Sequence, residues 1–403
     1  MNWIKNKVEA RLKPRTTLGE LIGYKFDGAM EYVFVPLAKR FLNEFRKGKI
    51  DRCNISNILV VDLYRGIGDA ILFSPFLQTL QNSIPSARIT IVVWPNPNVY
   101  ELVKHFSSVD EVLIYDPKMR LKDKIKFIKT LREKHFDIAF DLAWYGDFTG
   151  ILLTCGIGAM HTVGFDRAPR GLFFNHLCKV NGRIHTVEKG LALLESIGIP
   201  VGGKPTFEKF ETINDRGFLS HFLQHNGINE NDLVIGIHPG ARDNIYILYK
   251  LWPADKYAAL CDLLIEEYKV KVILFGDPEE KALSRKIASK MHHLPINMIG
   301  RTNVVELIIL LRRCNLLVCN NSGLLHLAVA VGVPTVSVGG GVDPLQWGPY
   351  GNSEKHRTVL KNSHCKPYQC STCKLKGTKC LSEISTESVF KAIQNILKGF
   401  NPK

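Results

Sequence analysis

The sequence predicts an α/β chain built from two Rossmann-like, doubly wound domains, and three observations point there. Short β-rich runs alternate with helical patterns over residues 57–142 and again over residues 232–340. Those runs are largely apolar on both faces, as strands of a parallel sheet covered by helices must be. The length, 403 residues, suits two domains.

Residues 1–55 stand apart. They carry twelve Lys/Arg against six Asp/Glu, and Leu37, Phe41 and Phe45 fall on one helical face. Lys39, Arg40, Arg46, Lys47 and Lys49 leave a basic remainder. The segment therefore reads either as an extra helix packed on the domain or as one lying on an anionic membrane surface. From Asn57, NILVVDLY predicts the first strand and residues 69–81 the first helix. RITIVVWP, VDEVLIYD and DIAFDLA predict three more strands, with PNVYELVKHF and KDKIKFIKTLREKHF as the helices between them. Residues 151–230 are more irregular and include a helix, HTVEKGLALLESIGI.

Alternation resumes at DLVIGIHPGA. KVILFGD, INMIG, NLLVCNN and PTVSVGG predict strands, separated by helices starting near Pro253, Glu279, Asn303 and Gly323. The domain reading is a basic amphipathic extension (1–55), an amino-terminal Rossmann-like domain (56–210), a carboxy-terminal one (230–385) and a final helix (386–403), with the join near 205–230. Sheets of this kind bind ligands at the carboxyl ends of their strands, so two facing sheets place a cleft between them.

Composition narrows the partners. Net charge is +15 with a pI near 9.3. That balance suits nucleic acid, phosphorylated substrates or acidic lipid, or serves only to solubilise the surface. No nucleic-acid-reading motif is visible and the basic residues read as scattered, which argues against nucleic acid. No apolar run reaches the length of a membrane span, and the start of the chain lacks the apolar stretch of a signal peptide, so the cytosol is the expected compartment. Six of the ten cysteines (Cys53, Cys155, Cys178, Cys261, Cys314, Cys319) are dispersed and read as small core residues. The other four, Cys365, Cys370, Cys373 and Cys380, crowd together as C-x4-C-x2-C-x6-C. Cys370 and Cys373 fit a zinc knuckle and the outer pair fits less well, so a structural zinc, reduced thiols and a disulfide all stay open.

Several motifs carry chemistry. In RGIGDAILF an acid, Asp69, stands where the first strand hands over to a helix, and Gly66 and Gly68 let the backbone approach a ligand closely. Asp69 reads either as a general base or as a helix N-cap; the two roles oppose one another, since hydrogen bonds from a helix start weaken a carboxylate as a base. HPGA, with His238 and Gly240, closes a strand with a glycine turn, and Lys250 stands just before LWPADKY. Ser322 and Gly323 open a helix with His326 one turn in, a geometry that offers free N–H groups and a helix dipole to phosphate oxygens.

Taken together and in order, RGIGDAILFSPFL, HPGA with K-LWP, FGDPEE, NSGLLHLAVAVGVPTV, WGPYG and the late cysteine cluster resemble glycosyltransferase family 9, the heptosyltransferases of lipopolysaccharide core assembly, over about residues 57–400. The resemblance implies a GT-B fold, two Rossmann-like domains facing across the active-site cleft. It implies inverting transfer of heptose from an ADP-activated donor to a lipid-linked saccharide acceptor, with no cofactor required for catalysis. By the same resemblance Asp69 is the catalytic base and Lys250 the cation that neutralises the departing diphosphate. Glu280 is linked to the nucleotide ribose, and Ser322, Gly323 and His326 form the phosphate-binding turn. The family's acid before Ser-Gly is Asn321 here, which leaves the donor sugar open and admits another nucleotide sugar or a catalytically inactive binding protein. The expected partners are a nucleotide-sugar donor, a lipid-linked saccharide acceptor and an anionic membrane surface, with the chain peripheral on the inner face of the bacterial inner membrane.

Overall fold

The structure is a computed structural model that describes residues 50–63, 66–144, 149–167, 170–203, 205–241, 251–340, 342–361 and 379–398. Lys250, Cys365, Cys370, Cys373 and the basic extension up to residue 49 lie outside the described residues.

The amino-terminal sheet holds β1 (Asn57–Asp62), β2 (Arg88–Val93), β3 (Glu111–Ile114), β4 (Ile138–Asp141), β5 (His161–Phe165) and β6 (His176–Cys178). Their order is β3-β2-β1-β4-β5-β6, all parallel. The carboxy-terminal sheet holds β7 (Val234–His238), β8 (Lys271–Leu274), β9 (Ile296–Asn297), β10 (Leu316–Asn320), β11 (Thr335–Gly339) and β12 (His356–Leu360). Its order, β12-β11-β10-β7-β8-β9, repeats the first when counted from β7. In each sheet the order reverses between the first and fourth strands, and that switch point is where a doubly wound sheet opens a ligand crevice. Central strands such as β1 and β7 are buried on both faces, as their apolar runs require.

Helices α1 (Ile67–Ser83), α2 (Pro97–Lys104), α3 (Leu121–Arg132), α4 (Thr149–Cys155), α5 (Thr186–Glu195) and α6 (Arg216–His225) serve the first half and the join. Helices α7 (Ala254–Tyr268), α8 (Lys281–Ala288), α9 (Val304–Arg313), α10 (Gly323–Ala330), α11 (Pro344–Trp347), α12 (Lys379–Ser382) and α13 (Thr386–Leu397) serve the second. Their starts follow local chemistry. The Asn96 side chain accepts from the Asn98 and Val99 amides ahead of α2, and Asn303 and Glu306 form a reciprocal capping box on α9. The stretch expected to be irregular contains two strands, β5 and β6, and β12 is a further strand that the alternation did not predict. β6 and β12 are sheet edges and β5 is the neighbour of one, and all three carry polar or half-buried positions that break the apolar run.

The two domains share one apolar cluster. Ile71 and Phe73 of α1, Val99 and Val103 of α2, Ile308 and Leu311 of α9 and Leu324 and Leu327 of α10 all belong to it. The join is pinned on both sides. Buried Glu208 accepts hydrogen bonds from the Ser107 amide (2.9 Å), the Ser107 hydroxyl (2.9 Å) and the Ser108 amide (3.2 Å) of the first domain. Arg312 of the second donates to the carbonyls of Phe210 and Ile213, both at 2.7 Å. The final helix α13 packs into the second domain's own core through Val389, Phe390, Ile393 and Ile396.

Cysteine placement matches the sequence reading except at Cys53, which is exposed, and Cys155, which is half-buried. Cys53 lies in a short turn before β1, ahead of the first apolar run, so no sheet covers it. Burial pushes the thiols of Cys178 (to about 11) and Cys314 (to about 12) up, and those of Cys261 and Cys319 further still, so these are packing residues.

Candidate functional site

The amino-terminal turns of α1 and α10 meet where the domains face each other. A Cβ placed on Gly68 would lie 2.7 Å from Gly323 Cα and 3.1 Å from His326 Cδ2. A Cβ on Gly323 would lie 3.1 Å from the Gly68 nitrogen. Glycine at position 68 lets the two helix starts come this close and a Cβ at 323 would be tight, so the strand-to-helix turns of β1 and β10 share one rim.

Asp69 stands on that rim, half-buried, in the first turn of α1. The helix begins at Ile67, two residues earlier than the sequence predicts, because extended Gly66 serves as its N-cap and offers no side chain. Asp69 is therefore not the N-cap, and that reading falls. Across the rim, Ser322 is the N-cap residue of α10, and His326 is buried one turn in. The positive end of α10 lies at the same rim as the first turn of α1, which carries Asp69.

His238 ends β7 and ties the turn together. Its Nδ1 shares a hydrogen bond with Ser322 Oγ at 2.9 Å, and its Nε2 faces Glu280 Oε2 at 3.3 Å. Glu280 also accepts from the Asp277 amide at 2.9 Å. Burial pushes the Glu280 carboxyl up, but the hydrogen bond and charge of His238 and the Asp277 amide outweigh it and hold the group below the usual carboxylate range. A Cβ on Gly240 would lie 1.7 Å from Glu280 Oε1, so Gly240 makes room for this carboxylate. The described sequence candidates of the second domain thus fall into one connected set: His238, Gly240, Glu280, Ser322, Gly323 and His326. Asn321 is also there, its Nδ2 donating to the Trp347 carbonyl at 2.8 Å.

Sequence reasoning missed the residue beneath this set. Asn320 is fully buried at the end of β10. Its Nδ2 donates to the Pro239 carbonyl (2.6 Å) and the Gly240 carbonyl (3.3 Å), while its Oδ1 accepts from the Trp252 amide and the Tyr257 hydroxyl, both at 3.1 Å. One amide therefore fixes the HPG turn, the start of the α7 segment that follows Lys250 in sequence, and the Ser-Gly turn relative to one another. The doubled asparagine was the available signal.

A second cross-domain contact flanks the rim. Arg183 Nε donates to Asp343 Oδ2 at 2.9 Å, and Lys189 Nζ donates to Gln346 Oε1 at 3.0 Å. The Thr186 hydroxyl donates to the Gln346 carbonyl at 3.0 Å, and the Tyr350 hydroxyl donates to Glu188. Burial would raise the Asp343 carboxyl, but the Arg183 guanidinium and the Gln346 amide hold it low. Lys189 sits 4.8 Å from the centroid of Trp144 and 5.8 Å from that of Trp347, and burial lowers its ammonium. Of the four cysteines in the cluster only Cys380 is described; it is buried on α12 in the core cluster that holds Leu381 and Ile384.

The profile of glycosyltransferase family 9 (heptosyltransferase) matches residues 124–379. A lipopolysaccharide core heptosyltransferase, OpsX, of Haemophilus influenzae is 24% identical over 344 residues, covering 82% of this chain and 94% of that protein. Lipopolysaccharide heptosyltransferase 3 of Escherichia coli is 25% identical over 355 residues, covering 82% and 95%. Among solved structures, a family 9 glycosyltransferase from Veillonella parvula superposes with a TM-score of 0.73 at 25% identity, covering 87% of this chain and 99% of that one. The E. coli ADP-heptose lps heptosyltransferase II superposes at 0.69 with 23% identity, covering 85% and 99%, and shows the same two-domain GT-B fold.

Proposed function

The chain belongs to glycosyltransferase family 9 and is a transferase, and on that footing we propose that it moves a heptose from an ADP-activated donor to a lipopolysaccharide core acceptor with inversion. The observation that carries this reading is the contact of Gly68 with Gly323, which brings the helix turn of Asp69 from one domain against the start of α10 from the other. Inversion asks for both groups at once: a base on the face of attack and charge stabilisation behind the leaving group. Asp69 takes the proton of the acceptor hydroxyl as that oxygen attacks the anomeric carbon. The bond to the diphosphate breaks on the opposite side, and its growing charge meets the α10 dipole, the Ser322 turn and Lys250. A fixed cation and a fixed dipole help more as charge develops than before it does, so they lower the barrier as well as binding the donor. In this scheme Glu280, whose carboxylate is oriented by His238, accepts from ribose hydroxyls.

Asn321 supplies hydrogen bonds and no charge where the family has an acid, so the donor sugar is read from experiment. The test is Asp69→Asn with two readouts. ADP binding by calorimetry, compared with UDP, GDP and CDP, is expected to favour ADP and to survive the substitution. Transfer of heptose to a lipopolysaccharide acceptor is expected to fall by about 10³-fold. Transfer by the variant at the wild-type rate removes the base, and equal binding of all four nucleotides removes the ADP donor. The diphosphate charge is met by protein groups in this scheme, so EDTA is expected to leave the rate unchanged. The acceptor places the enzyme at the cytoplasmic face of the inner membrane.

A further inference from the structure

Helix α3 breaks the pattern of a scattered basic surface. Residues 118–132, KMRLKDKIKFIKTLR, hold seven Lys/Arg and one acid, so the expectation that no helix gathers the positive charge is corrected here. Phe127, Ile128 and Leu131 turn toward the sheet and pack in the amino-terminal core. On the flank of the same helix Leu121 and Ile125, one turn apart, stay at 74% and 59% exposure. Exposed Lys122, Lys126, Lys129 and Arg132 border them. Two large aliphatic residues left in water beside four cations are more than a solubilising surface needs.

The neighbourhood extends the same chemistry. Arg132 Nε donates to the Gly156 carbonyl at 2.7 Å, joining the end of α3 to the end of α4. Exposed Leu152 lies on α4, and exposed Met160 follows Gly156 by four residues. Of the eight large apolar side chains exposed among the described residues, five (Ile114, Leu121, Ile125, Leu152 and Met160) fall from the end of β3 to the start of β5 in the first domain. Among the described residues no helix is long and apolar enough to cross a membrane, so this surface can lie on a bilayer but not span it.

Topology gives the patch a direction. All strands of a parallel sheet end at one edge, so the starts of α1 and α3, which follow β1 and β3, lie on the same rim. β3 is two strands from β1, about 10 Å along the sheet at ~4.8 Å per strand. Leu121 opens α3 on the rim that holds Asp69 on α1.

We propose that the outer face of α3, with Leu121 and Ile125 set among Lys122, Lys126, Lys129 and Arg132, is a docking surface for an anionic membrane. The lysines contact lipid headgroups and the two aliphatic side chains enter the interface, which sets the cleft over the bilayer. The placement over a lipid-linked acceptor rests on the heptosyltransferase reading; the lipid binding does not.

The test uses the full chain and two variants, Lys122→Gln/Lys126→Gln/Lys129→Gln and Leu121→Ser/Ile125→Ser, all at exposed positions. Sedimentation is measured with vesicles of phosphatidylcholine alone and with 30% phosphatidylglycerol. Wild type is expected to bind only the anionic vesicles, and less so at higher salt. A surface lysine is worth about fivefold in partitioning, so the triple variant is expected to bind about a hundredfold more weakly. The aliphatic pair is expected to cost at least tenfold. Undiminished binding by both variants overturns the proposal, as does a loss confined to RNA binding with vesicle binding intact. Transfer to a lipid-free oligosaccharide acceptor separates the two readings. Its retention in variants that no longer bind vesicles supports docking, whereas its absence in wild type that does bind vesicles leaves docking standing and removes the heptosyltransferase assignment.

Discussion

Replacing Gly68 with alanine probes the domain contact with a single methyl group. The new Cβ would stand 2.7 Å from Gly323 Cα, and ordinary contact begins near 3.4 Å, so the two helix starts must part by 0.7 Å (3.4 − 2.7). The nearest atom, Gly323 Cα, belongs to backbone and cannot swing aside, and the next, His326 Cδ2 at 3.1 Å, is on a buried side chain. Overpacking of this kind costs about 1–3 kcal/mol where it cannot relax. Alanine in place of glycine on a helix returns up to about 1 kcal/mol. The domains can relieve the clash by opening about their join, so the loss falls on the closed arrangement and not on the folding of either domain. A misplacement approaching 1 Å between a base and a phosphate site costs about 10²-fold in rate. The expected result is a ten- to hundredfold fall in kcat/KM for heptose transfer, with a urea midpoint within experimental error of wild type. Gly323→Ala meets its nearest atom at 3.1 Å and needs only 0.3 Å (3.4 − 3.1), so its loss is expected to be the smaller. Activity within twofold of wild type for Gly68→Ala, or a reversed order of the two variants, would show that the two turns do not meet in the reacting enzyme.

Asn320→Ala deletes the donor to Pro239 and Gly240 and the acceptor of Trp252 and Tyr257 and leaves buried groups unpaired, so a loss of about 2–4 kcal/mol in urea unfolding is expected. Asn320→Asp, which turns a carboxylate on two carbonyls, is expected to be no better. Burial lowers the His356 imidazole to about 4, so the unfolded chain takes up its proton first as pH falls. Its stabilising contribution is thus complete above pH 6.5 and drains away between 6.5 and 4, and His356→Gln is expected to flatten that limb of the stability–pH curve. The Glu280 carboxyl is held low, so its contribution is present above the ordinary carboxylate range and lost below it; Glu280→Gln is expected to flatten the more acid limb, read by the same unfolding series. A double-mutant cycle of Arg183→Met with Asp343→Asn is expected to show about 1 kcal/mol of coupling in unfolding, small because Arg183 is half in water.

The fold could be read in the sequence because a doubly wound sheet writes its strands as two-sided apolar runs. Of the runs that the reading missed, β6 and β12 are edge strands with half-buried or exposed positions, while β5 is an interior strand whose five residues, HTVGF, include a histidine, a threonine and a glycine that interrupt the apolar run. The site was readable to the extent that its residues stand at strand ends beside glycines: Asp69 after β1, His238 and Gly240 after β7, Ser322 and Gly323 after β10. What one sequence cannot supply is which strand ends face one another. Gly68 and Gly323 stand 255 positions apart (323 − 68), and the contact that demands glycine at 68 belongs to neither local pattern. Asn320 shows the same limit from inside one domain. Its four partners come from residues 239–257, yet by itself it reads as a polar residue closing an apolar strand, a position that asparagine fills for many reasons. The charge of α3 was legible and was averaged away, because a net +15 spread over 403 residues hides a helix that alone holds five of the positive groups. Surface patterns need the partner face before they acquire meaning: only when Phe127, Ile128 and Leu131 are seen to pack inward do Leu121 and Ile125 become residues that the core does not explain.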